Sequence, residues 1–180
     1  MKFLASTCQV LVIDVQERLF PHIENHLTLE NNLLKLLQGL RLFTLPTTVS
    51  QQYSKGLGAT IPLLHPFLKE ACFLEKSTFS CVEEEAIKQH LLLQNRNQII
   101  ICGIEAHICV QQTALDLAEK GFDVCVVADC IGARSEFSKT ISMHRLLQEG
   151  IRICTVESLL FELCRDSKNP IFKSITEIIK

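Results

Sequence analysis

The chain predicts an α/β fold built on a parallel sheet, and three observations predict it. QVLVID (9–14), QIIICG (98–103) and DVCVVAD (123–129) are continuous apolar runs rather than alternating ones. Strands covered by helices on both faces read this way. Helical patterns fall between them, and Gly121 and Gly150 each close such a pattern just before a strand-like segment. Glycine there suits a left-handed helix C-cap.

Each element follows from local pattern. After 9–14, Leu29, Leu33, Leu36, Leu37 and Leu40 recur at helical spacing, with Thr28 as the expected N-cap and Pro46 as the stop. PTTVSQ (46–51), ACFLEK (71–76) and GIRICT (150–155) are shorter strand candidates. Ser80 and Glu83 have capping-box spacing and open an expected helix to about residue 94. Further helices are expected over 106–120, 138–149, 156–164 and 171–179. The order is β, α, β, loop, β, α, β, α, β, α, β, α, α, which requires right-handed crossovers. The longest irregular stretch, QYSKGLGATIPLLHPFLKE (52–70), is a candidate loop over a site.

The 180 residues, 47% of them hydrophobic, are expected to form a single domain over 1–180. A net charge of −2 with no basic stripe argues against nucleic acid or an anionic membrane as partner. No apolar run approaches the roughly 18–20 residues of a membrane span. The first residues run directly into a strand, so a cytoplasmic protein is expected. The nine cysteines are scattered without C-x-x-C spacing, mostly inside apolar runs. Free cysteine packs as a small hydrophobe, so most are expected to be core in a reducing compartment.

Ligands of an open parallel sheet bind beyond the carboxyl ends of its strands. Asp14 ends the first run and could act as a general base; an aspartate there could equally bond loop amides. Lys76 ends the third strand candidate and could supply positive charge, or simply be solvated. Cys109 opens the helix after the fourth, where unpaired amides and the helix dipole are expected to lower a thiol pKa; the alternative is a packed helix cysteine. Asp129, at the end of the fifth, is assigned to its loop. A base, a cation and a thiol at one sheet edge make a cysteine-centred nucleophilic site without histidine.

With VLVIDVQERLF (10–20), QQYSKGLG (51–58), EKSTFS (75–80), CGIEAHICVQQTALDLAEKG (102–121) and VVADCIGARS (126–135) in this order, the chain resembles the isochorismatase-like hydrolases, the cysteine hydrolase superfamily. GIEAH-x-C, QY-x-KGLG and the tail KNPIFKSITEIIK resemble the isochorismatase domain-containing proteins in particular. The resemblance implies a three-layer Rossmann-like sandwich with a six-stranded parallel sheet, assembled as a homo-oligomer, a dimer or larger. It implies a catalytic triad of Asp14, Lys76 and Cys109. It also implies a cis peptide between Ile104 and Glu105, aiming the N–H groups of Glu105 and Cys109 at an oxyanion.

Nicotinamidases of the superfamily hold a metal through an Asp-x-His after the second strand. This chain has TTVSQQYSKGLG there, so no metal and no cofactor are expected. His65 and His107 have no ligand spacing to a partner. True isochorismatases resemble GIYAHIG, with glycine where Cys109 stands. The thiol therefore favours hydrolysis of a carbon–nitrogen bond in a small amide-like substrate, through a covalent cysteine adduct. The alternatives are a vinyl ether hydrolase and a non-catalytic oligomeric binding protein on the same fold. Gln16, Phe20, Tyr53, Phe79 and His107 are candidate pocket-lining positions, with packing the competing role for each. The apolar terminal helix is a candidate contact surface between subunits.

Overall fold

The structure, a computed structural model, describes residues 2–180. Its strands are β1 (Cys8–Ile13), β2 (Thr47–Gln52), β3 (Cys72–Lys76), β4 (Gln98–Ile104), β5 (Asp123–Gly132) and β6 (Arg152–Cys154). Its helices are α1 (His26–Arg41), α2 (Ser54–Leu57), α3 (Glu85–Leu93), α4 (Gln111–Glu119), α5 (Glu136–Gln148), α6 (Val156–Cys164) and α7 (Phe172–Ile179). The six strands form one sheet in the order β3-β2-β1-β4-β5-β6, and every neighbouring pair is parallel. The expected three-layer α/β architecture is the observed one.

Period-2 side-chain direction divides the apolar runs between two cores. Val10, Val12, Ile100, Cys102, Cys125 and Val127 pack with α1 and α6 on one face. Leu11, Ile13, Ile99, Ile101, Val124 and Val126 pack with α3 and α4 on the other. The strand order reverses between β1 and β4, opening a crevice at their carboxyl ends. There Gly103 takes φ +117°, and a Cβ on it would stand 2.1 Å from the Ile13 carbonyl oxygen. Only glycine lets β4 approach β1 so closely.

The stretch expected to be irregular, 52–70, holds α2 and a 3₁₀ turn at Pro62–Phe67, and β5 runs on to Gly132, past Asp129. Four further local expectations differ from the structure. Helix α1 begins at His26, two residues before Thr28, with Asn25 left-handed (φ +55°) at its cap position. Ser80 and Glu83 make no capping box: a 3₁₀ turn occupies Cys81–Glu83 and α3 starts at Glu85. A tertiary contact wins there, since the Thr113 hydroxyl accepts the Cys81 N–H at 2.9 Å. The capping box that does form, Thr155 with Ser158, opens α6. The helix expected from Ala106 begins as a wide π turn, Ala106–Val110, before α4.

The terminal helix is the fourth. It spends its apolar stripe inside the molecule: Ile175 is fully buried, Phe172 tilts against Phe161, and the Ile179 carbonyl accepts from Lys35 Nζ at 2.9 Å. Ile171, Phe172, Ile178 and Ile179 are half-buried. No helix among the described residues is long and apolar enough to cross a membrane.

Candidate active site

Three distant segments converge at the carboxyl edge of the sheet. Asp14 follows β1 with φ +50°, a left-handed conformation that aspartate tolerates better than most residues. Lys76 is the last residue of β3. Cys109 sits in the π turn that joins β4 to α4. The Lys76 Nζ lies 2.7 Å from Asp14 Oδ2 and 3.6 Å from Cys109 Sγ. Both charged side chains are fully shielded from solvent.

The ammonium has more acceptors than protons. Besides Asp14 and the thiol it reaches Gln52 Oε1 at 2.7 Å, the Thr78 carbonyl at 3.0 Å and the Phe79 carbonyl at 3.2 Å. Three N–H donors serve five acceptors, and the sulfur is the farthest. Burial pulls the Lys76 pKa down, but the Asp14 carboxylate and the neighbouring thiols outweigh it and the net shift is upward. Lys76 therefore stays charged.

Cys109 corrects an expectation. Its thiol pKa is not lowered at the helix start; burial, followed by the negative field of Asp14, pushes it up to about 12 despite Lys76. The dipole effect falls off within one turn and cannot offset desolvation beside a carboxylate. The resting residue is a protonated thiol, 3.5 Å from Gln52 Oε1. Its alkylation by iodoacetamide is thus expected to accelerate about tenfold per pH unit from pH 8 to 10, as the reactive thiolate fraction grows. A plateau below pH 8 at Cys109, followed by peptide mapping, would contradict a protonated resting thiol.

Two residues at this site escaped the sequence reading. Gln52 bridges Lys76 and Cys109 through its Oε1, and its Nε2 donates to the Ser77 carbonyl at 3.2 Å. Ser50 Oγ donates to Asp14 Oδ1 at 2.8 Å, holding the carboxylate plane. Both lie on β2, whose polar end the strand-end rule would have included had the strand been extended one residue to Gln52.

The softer candidates separate. Gln16 is wholly buried and does not line a pocket: its amide bonds the Gln52 and Gly58 carbonyls (3.0 and 2.7 Å) and the Gln52 N–H (2.7 Å), stapling residues 52–58 to β1. Phe20 is core, edge-on to His26. Tyr53 and Phe79 adjoin the triad through their backbones, Tyr53 N–H bonding the Lys76 carbonyl, while their rings are exposed. His107 is half-buried, with Nδ1 buried and unbonded.

The Ile104–Glu105 peptide is cis. The Glu105 carbonyl accepts from the N–H groups of Ile108 and Val110, and its carboxylate pairs with Arg134 at 3.0 Å. Asp129 accepts the Val156 N–H at 3.0 Å and so serves the start of α6. Among the described residues, no group of three or more His, Cys, Asp or Glu side chains is arranged to hold a metal ion.

The Isochorismatase domain model matches residues 8–158. The chain is 36% identical to isochorismatase domain-containing protein 2 of Danio rerio, over 94% of this chain and 85% of that one. Among solved structures it is similar to the MAR1 ribonuclease of Caenorhabditis elegans, with TM-score 0.93, 30% identity, 99% of this chain and 92% of that one. It is also similar to YcaC of Pseudomonas aeruginosa, solved with hexane-2,5-diol and a covalent acrylamide, with TM-score 0.94, 26% identity, 98% of this chain and 91% of that one.

Proposed function

The chain belongs to the isochorismatase domain family of hydrolases, and on that premise we propose that it hydrolyses a carbon–nitrogen bond in a small amide-like substrate through a covalent adduct on Cys109. One observation carries this reading: the thiol, the Asp14 carboxylate and the Lys76 ammonium meet at the sheet's switch point, with Nζ 2.7 Å from Oδ2 and 3.6 Å from Sγ. A vinyl ether hydrolase has no need of a sulfur there.

In this mechanism Asp14 takes the thiol proton as Sγ attacks the substrate carbonyl. Lys76 stays positive and offsets the charge that passes from carboxylate to sulfur and then to oxygen. The N–H groups of Glu105 and Cys109 hold that oxyanion. The tetrahedral adduct collapses, the amine leaves with the proton from Asp14, and a thioester remains. Asp14 then accepts a proton from water, which attacks the thioester, and the acid departs as the thiol is restored.

The covalent acrylamide of YcaC supports a reactive nucleophile on this fold. The name of the Caenorhabditis elegans relative raises RNA as a substrate. The net charge of −2 and the wholly buried Asp14 and Lys76 favour a small uncharged amide over a polyanion. No cofactor or metal takes part in this scheme, and no membrane or nucleic acid is needed. Exposed Phe137 and Ile141, one turn apart on α5, support assembly into a homo-oligomer. The scheme takes place in the cytoplasm, where a free thiol is kept reduced.

Hydroxylamine added during turnover of an amide panel is expected to divert the thioester to a hydroxamate. Intact-protein mass spectrometry is expected to place the acyl group on the Cys109 peptide. Turnover of amides with no trapped acyl group, or release of pyruvate from a vinyl ether instead, would refute the proposal.

A further inference from the structure

On the sheet face opposite Cys109, β5 and the edge strand β6 bring two other thiols together. Cys125 Sγ and Cys154 Sγ stand 3.1 Å apart, and both are free cysteines. Cys125 is buried in the core beneath α1 and α6; Cys154, on the edge strand, is half-buried. The Cys125 thiol donates to Cys154, and this bond, with burial, drives the Cys125 pKa far upward. Cys125 thus keeps its proton, and Cys154, the acceptor and the less buried of the two, is where an oxidant enters.

We propose that Cys125 and Cys154 form a reversible redox site that a peroxide closes to an intrachain disulfide. The Cys154 sulfur attacks the peroxide, the O–O bond breaks, and Cys154 becomes a sulfenic acid as one hydroxide leaves and takes up the thiol proton to form water. The Cys125 sulfur then displaces the sulfenic hydroxyl, its own proton completing a second water. The peroxide has gained two electrons and the two thiols have lost them. A thiol reductant reverses the bond by exchange.

The pair is diagonal in register, Cys125 opposite Arg152 and Cys154 opposite Val127. With parallel strands about 4.8 Å apart and a rise of about 3.3 Å per residue, an offset of two residues sets the Cα atoms roughly 8 Å apart, beyond the about 6.8 Å of bridged cysteines. Closure must therefore draw β6 along β5. A three-residue edge strand, paired on one side only, is the element of this sheet best able to yield.

Wild-type protein treated with stoichiometric hydrogen peroxide, then denatured, alkylated, digested and analysed by mass spectrometry tests this. A peptide joining Cys125 to Cys154 is expected before Cys109 is consumed, and dithiothreitol is expected to return both thiols. In Cys154→Ser, which changes a half-exposed side chain, Cys125 is expected to stay reduced under the same dose. Full alkylation of Cys125 after Cys154 has been oxidised would overturn the proposal, as would Cys154 bridged to Cys130 or to a second chain.

Discussion

Replacing Cys109 by alanine is expected to lower kcat/KM for carbon–nitrogen substrates by about ten-thousand-fold or more, the scale seen when a nucleophile is removed from a set that acts as a unit. No other sulfur can stand in. Cys81 is fully buried, its amide held by the Thr113 hydroxyl, and it presents no sulfur to a substrate. Cys109→Ser tests the proton transfer separately. An alcohol gives up its proton less readily than a thiol, so a serine in the same place beside Lys76 is expected to retain little rate. Stability should change little in either variant, because the side chain is small and its polar contacts are long. Thermal unfolding beside steady-state kinetics checks this. If Cys109→Ala kept most of its rate while Asp14→Asn lost it, the reaction would be proton delivery to a vinyl ether, and the sulfur a bystander.

The sheet was readable because burial on both faces leaves a direct trace: VLVI, IIIC and VCVV have no polar alternation to dilute them. The convergence of Asp14, Lys76 and Cys109 was readable for a related reason. Each falls at or just past the carboxyl end of a strand candidate, where an open sheet has its crevice. The misreadings share a physical origin in tertiary contacts that local pattern does not carry. Thr113 claims the Cys81 amide and removes the reason for a cap at Ser80. A dipole argument for Cys109 counts the turn it sits in and not the carboxylate that β1 brings beside it. Gln52 looks like one more loop amide until β3 places Lys76 against its oxygen. Gln16 reads as a pocket residue because it follows Asp14, yet its polar atoms go to the chain that leads away from β2.

Lys76→Met is expected to cost about 3–5 kcal/mol of stability, because it leaves the Asp14 carboxylate uncompensated in the interior. That is a large part of the roughly 5–15 kcal/mol that holds a domain folded. The ion pair contributes far less than this loss implies. Two desolvated charges repay their burial only through good geometry, and here Asp14 also needs Ser50 on Oδ1, and Lys76 needs Gln52 and two backbone carbonyls. The double variant Asp14→Asn with Lys76→Met is therefore expected to regain most of the lost stability in urea denaturation while recovering no activity. A pair kept for structure alone would show the reverse: the double variant would stay as unstable as the single one, and turnover would follow the folded fraction. Stability recovered without rate is what a charged pair retained for proton transfer predicts, since the neutral pair packs as well but can neither accept the thiol proton nor hold the charge left behind.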